Sequence, residues 1–143
     1  MTRFVGVSAA PGEGIGEGVG PYEFFTDRGV RVFLHDTDYL GLRQTAAAEL
    51  RLYFGFDPEW TPAELKDTSV VMLVFADVDY RPHPLTAQRG SWADGPDRFV
   101  YSFDWDGSNG FALDTSEIKL AFTAAQMTVE LLSAEPAGLQ LRP

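Results

Sequence analysis

The chain has 143 residues, with 11 Lys+Arg against 21 Asp+Glu, so its formal charge is −10. Hydrophobic residues make up 45% and aromatics 13%, enough apolar material for the core of one domain, which excludes wholesale disorder. Cysteine is absent, which excludes disulfides, Cys-ligated zinc and a thiol nucleophile, and the acidic balance disfavours nucleic acid, which is held by Lys and Arg at its phosphates.

No run approaches the roughly 18 apolar residues of a membrane span, and Met1 to Ser8 lacks the apolar segment of a secretory signal. The expectation is a cytoplasmic protein without membrane contact, whose natural charged partner is a basic protein. Self-association is left open.

Pro11 to Pro21 places glycine at every second position from Gly12 to Gly20. So few side chains cannot offset the entropy of ordering the segment, so 1–21 is expected to be a flexible arm. A single β-rich domain is then expected over 22–133, with a loose tail over 134–143. The glycine arm lacks the spacing of a dinucleotide or Walker loop, and Glu13 and Glu17 would repel phosphate.

From residue 30 the chain reads as strands. Val30, Val32 and Leu34 alternate with Arg31 and Phe33, the period of a half-buried strand. Tyr39 to Gln44 and Glu49 to Phe56 follow as a hairpin around 45–48. Gly41 and the alternation after Glu49 favour strands over one long helix despite the alanines at 46–48. Thr61-Pro-Ala-Glu64 has the pattern of a capping box, predicting a short helix near 62–67. Val70 to Ala76 is an uninterrupted apolar run that suits a central strand covered on both faces. Residues 81–98 hold Pro82, Pro84, Gly90, Gly95 and Pro96, too much punctuation for a regular element, and long loops of this kind are often functional.

Phe99 to Trp105 resumes alternation, with Phe99, Tyr101, Phe103 and Trp105 assigned to one face. Asp106-Gly107 and Asn109-Gly110 then predict a hairpin to Phe111 to Leu113. Between Ile118 and Leu132 both a helical stripe and two strands fit. Thr123, Thr128 and Val129 are weak helix formers, favouring a hairpin around 123–126. The sum is a mainly β fold, with α+β as the alternative: an antiparallel β-sandwich or partly closed barrel with one short helix.

Three kinds of chemistry can be read from the residues. His35, Asp36 and Asp38, joined by His83, are metal-ligand types and would suit a small metal-dependent hydrolase, although short carboxylates at a strand end also make turns. Asp77, Asp79, Asp104 and Asp106 would suit acid–base cleavage of a sugar if their strands pair. Asp104 to Gly110 fails the spacing of a calcium loop. The third reading is an interface. Asp77, Asp79, Asp94, Asp97, Asp104 and Asp106 surround Tyr80, Trp92, Tyr101 and Trp105, and aromatic anchors in a charged surround suit protein docking. No cofactor is implied. A sandwich interior that holds an apolar ligand is a further alternative.

Phe33-Leu-His-Asp36 before a strand, Leu50-Arg-Leu-Tyr-Phe54, Val71 to Val78 and Ile118-Lys-Leu-Ala-Phe122 together resemble small β-rich bacterial proteins grouped with the immunity proteins of polymorphic toxin systems. The resemblance implies a non-enzymatic inhibitor that binds a toxin and carries no catalytic residues. With the acidic surface, it predicts a binding module that neutralises a basic toxin.

Overall fold

The computed structural model describes residues 1–8, 21–27, 30–34, 37–45, 47–55, 69–81 and 99–143. All regular structure within them is β, and none of them forms a helix long and apolar enough to cross a membrane. The short helix expected near 62–67 lies outside the described residues, as does all of the expected 81–98 loop except Arg81, which ends a strand.

The strands form three sheets. The first has the order β1-β12-β7-β6-β5: β1 (Arg3–Val5), β12 (Gln126–Leu132), β7 (Val70–Ala76), β6 (Glu49–Gly55) and β5 (Tyr39–Thr45). The second has the order β8-β11-β10-β9: β8 (Asp79–Arg81), β11 (Lys119–Thr123), β10 (Gly110–Thr115) and β9 (Val100–Trp105). The third joins β2 (Val7–Ser8), β3 (Glu23–Thr26) and β4 (Arg31–Phe33). Among the described residues the architecture is sandwich-like and no barrel closes, although an isolated bridge between Asp38 and Phe99 links the margins of the two larger sheets.

The apolar run of β7 occupies the middle of the first sheet, as its unbroken hydrophobicity demands. On its inner side Phe75 meets Phe122 at 4.9 Å and Phe111 at 5.0 Å between ring centroids, and Phe54 and Phe103 extend the cluster. These rings fill the space between the two larger sheets. Val30, Val32 and Leu34 point inward from β4 and its flanks, as their alternation predicts. The β5–β6 hairpin forms as expected, with Ala48 in the left-handed region at its turn.

Four features differ from the sequence expectation, each for a physical reason. Residues 3–8, within the segment expected to be an arm, form β1 and β2. Phe4 packs edge-on against Trp105 at 4.9 Å, and Arg3–Val5 pair in parallel with β12. The tail is also engaged: Leu42 and Gln140 exchange backbone hydrogen bonds of 2.6 and 3.0 Å.

In β9 the register slips between Asp114 and Thr115 of the partner strand, so Val100 opposes Thr115 and Ser102 opposes Asp114. Tyr101 is the extra residue of this bulge, and the side chains change face across it. Val100 and Phe103 are therefore buried, in place of the expected Phe99–Tyr101–Phe103 face.

Residues 119–132 do form two strands, but not a hairpin. β11 pairs with β8 and β10, whereas β12 pairs with β7 and β1. The chain bends at Ala124, which is buried and donates its amide to Asn109, while Ala125 donates to Ala76. Opposite it, β7 bends into β8 at Asp77, which has φ 54°. One antiparallel ladder thus runs through both sheets, with Met127 facing Phe75 before the bend and Phe122 facing Tyr80 after it. This is how strands switch sheets at a sandwich corner.

Candidate functional site

Cross-strand register fixes which side chains share the outer face of the β8-β11-β10-β9 sheet. One row is Arg81, Ala121, Ala112 and Asp104. The next is Asp79, Thr123 and Gly110, with the backbone of Asp106 bonded to Gly110 at its end. Charge therefore stands at the two edges and small residues in the middle. The result is an open groove of ≈ 380 Å³, lined by Arg81, Asp104, Asp106, Gly110, Ala112, Ala121 and Thr123 among others.

The groove's floor has a local cause. In β10 and β11 the large residues Phe111, Leu113, Leu120 and Phe122 turn inward to the core. At this end of the strands the alternate positions, Gly110, Ala112, Ala121 and Thr123, are small, so the outer face has little side-chain bulk there. At its end, Asp106 makes a tight turn: its Oδ1 accepts the amides of Ser108 at 2.7 Å and Gly110 at 3.1 Å. A Cβ on Gly110 would lie 2.4 Å from the Asp106 carboxylate, so glycine keeps that corner open.

The expected carboxylates are distributed among distinct roles. Asp79 forms an exposed ion pair with Arg81 at 3.0 Å. Asp77 occupies the bend, and one oxygen of Asp106 is committed to turn amides. Asp104 is exposed on the opposite edge strand from Asp79. β8 and β9 do not pair, since β11 and β10 lie between them. Three inter-strand steps separate them by roughly 14 Å, beyond the separation of about 5–9.5 Å that two carboxylates need to cleave a glycosidic bond. The expectation of catalytic pairing between those strands is corrected accordingly.

The aromatics take the other face. Tyr80, Phe122, Phe111 and Trp105 form one core-side row across the sheet. Trp105 packs against the core and donates its indole N–H to Ser108 at 3.0 Å. Tyr80 closes the row at the β8 edge, 39% exposed, where its hydroxyl accepts a 2.7 Å hydrogen bond from Gln44 of β5. Partial burial pushes its pKa above the usual phenol value, against the opposing effect of the Gln44 hydrogen bond. Tyr101 stands at the bulge.

Trp92, Asp94, Asp97, His35, Asp36 and His83 lie outside the described residues. Asp38 is described, and its carbonyl accepts the amide of Gly55 at 2.8 Å, a backbone role at the sheet margin. Among the described residues no group of three or more His, Cys, Asp or Glu side chains is placed to hold a metal ion.

Sequence reasoning on charges and aromatics missed the groove floor. Its signal was present in the alternation of small and large residues over 110–113 and 120–123. Comparison of the chain with protein families, curated proteins and solved structures finds no match.

Proposed function

We propose that the protein is a non-enzymatic binding module that docks a basic protein on the outer face of its four-stranded sheet, in the manner of an immunity protein neutralising a basic toxin. The observation that carries this reading is the groove floored by Ala112 and Ala121 with Asp104 and Asp106 along one side. A basic side chain laid there reaches the Asp104 carboxylate without displacing any bulky group. The chain's charge of −10 supports rapid, salt-sensitive encounter with such a partner.

The arrangement gives the two edges unequal weight. Arg81 already compensates Asp79, so the β8 edge adds little net attraction. The β9 edge keeps Asp104 exposed, and we place the charge contact there. The interior reading, an apolar ligand held between sheets, gains no support, because aromatic rings occupy that space.

The test is a low-salt pull-down with the purified protein as bait, followed by titration of the recovered partner. Asp104→Lys is expected to weaken binding by roughly tenfold or more, and Ala112→Trp to block it by filling the floor. Both variants should retain the wild-type circular dichroism spectrum. Recovery of a partner whose affinity is indifferent to both substitutions, or of no basic partner at all, would overturn the reading.

A further inference from the structure

Beyond β12 the chain returns to the first sheet. β12 ends at Leu132, and the chain next pairs at Leu42 of β5, three strands away in the sheet order β12-β7-β6-β5. It therefore crosses the outer face of the first sheet. There Leu139 joins Tyr53, Val70, Met72, Val74, Leu132 and Leu40 in a second apolar cluster. It then wraps the β5 edge: Gln140 and Leu42 exchange backbone hydrogen bonds, and Tyr39 donates its hydroxyl to the Leu141 carbonyl at 3.0 Å. Arg43 donates to the Ala137 carbonyl.

β5 is shaped to receive this segment. A Cβ on Gly41 would lie 2.7 Å from the Gln140 carbonyl oxygen and 2.8 Å from the Leu139 Cβ, and Gly41 has φ +143°. Both the close approach and the backbone conformation require glycine there. The register shift between Tyr39 and Gly41 marks a bulge that turns the edge towards the segment.

An uncovered strand edge is a template for another strand. We infer that residues 137–141 are a strap that guards the β5 edge, and that its release lets β5 pair antiparallel with β5 of a second copy of this chain. The register is set by the groups released. Leu42 directs its N–H and C=O outward to the strap, so a two-fold pair centres on Leu42 and places Arg43 opposite Gly41 of the other copy. That register brings no two Arg43 side chains together. The apolar cluster beneath Leu139, uncovered in the same step, adds to the attraction between copies.

The experiment loosens the strap in the 143-residue chain by two independent routes. Leu139→Asp with Leu141→Asp removes the anchors without touching β5, and Gly41→Val removes the seat. Sedimentation and amide exchange are followed from dilute to concentrated protein. In dilute solution the Leu42 amide is expected to exchange roughly tenfold or more faster than in the wild type. At high concentration its protection should return together with a dimer, while the wild type stays monomeric. Two results would overturn the inference. One is faster Leu42 exchange with no dimer at any concentration. The other is unchanged Leu42 protection in both variants, which would mean that the named contacts do not hold the strap.

Discussion

The two larger sheets share one aromatic interior and differ on their outer faces. The five-stranded sheet is covered there as well: Tyr53, Val70 and Met72 are buried beneath the returning C-terminal segment. The four-stranded sheet presents Thr123, Ala112 and Gly110 between charged edges. The sequence shows why. β7 is apolar at every position and needs two covers, whereas β10 and β11 turn their large residues inward and carry Gly110, Ala112, Ala121 and Thr123 on the outer face at the groove, with Asp114 buried farther along it. The five-stranded sheet buries apolar residues on both faces, and the groove end of the four-stranded sheet is the surface we propose for docking.

The contrast breaks if substitutions on the two outer faces cost the same. Met72→Ala, on the covered face, is expected to lower unfolding free energy by roughly 2–5 kcal/mol. Thr123→Ala, at the groove, should stay within about 0.5 kcal/mol of wild type. Urea denaturation of both variants measures the difference, and equal losses would show that the groove end of the four-stranded sheet is packed as tightly as the covered face.

A smaller effect sharpens the picture at the groove's end. Asp106→Ala leaves the Ser108 and Gly110 amides without their carboxylate acceptor, at an expected cost of about 1–2 kcal/mol. Faster amide exchange should appear first at 107–110, with the five-stranded sheet unaffected at that level.

The smallest effect concerns Tyr80, whose hydroxyl bridges the margins of both sheets through Gln44. Its folded pKa is raised above the ordinary 10.0, so the folded protein holds the phenolic proton more tightly than the unfolded chain. This contribution is fully present below pH 10.0 and is lost as pH rises through the folded value. Stability measured against pH should fall less steeply above that point in Tyr80→Phe than in the wild type.

Much of the local structure was legible from periodicity. The alternation of Val30, Val32 and Leu34, the β5–β6 hairpin and the apolar β7 are all decided by which side chains must leave water. Pairing was not legible in the same way. Residues 119–132 read as two strands, but a two-residue period carries no information about which neighbour each strand chooses, and Ala124 turns the chain into the other sheet. The slip at Tyr101 was hidden for a related reason. A bulge depends on the opposing strand, here at Asp114 and Thr115, and Val100 looked outward-facing until that partner was known. For the candidate site, charge and aromatic content do not separate the two faces of the four-stranded sheet. Tyr80 and Trp105 lie on the core side, and Asp104 with the small residues on the other.

The bent ladder from β7 through β8, paired with β11 through β12, has a mechanical consequence. Its backbone pairing joins the β8–β11 side of the groove to the strand that carries Phe75, so the corner is held by hydrogen bonds as well as by the ring cluster. For the docking proposed above, the β8–β11 side of the groove is thus tied to the core through the corner, whereas Asp104 on β9 pairs only with β10 among the described strands.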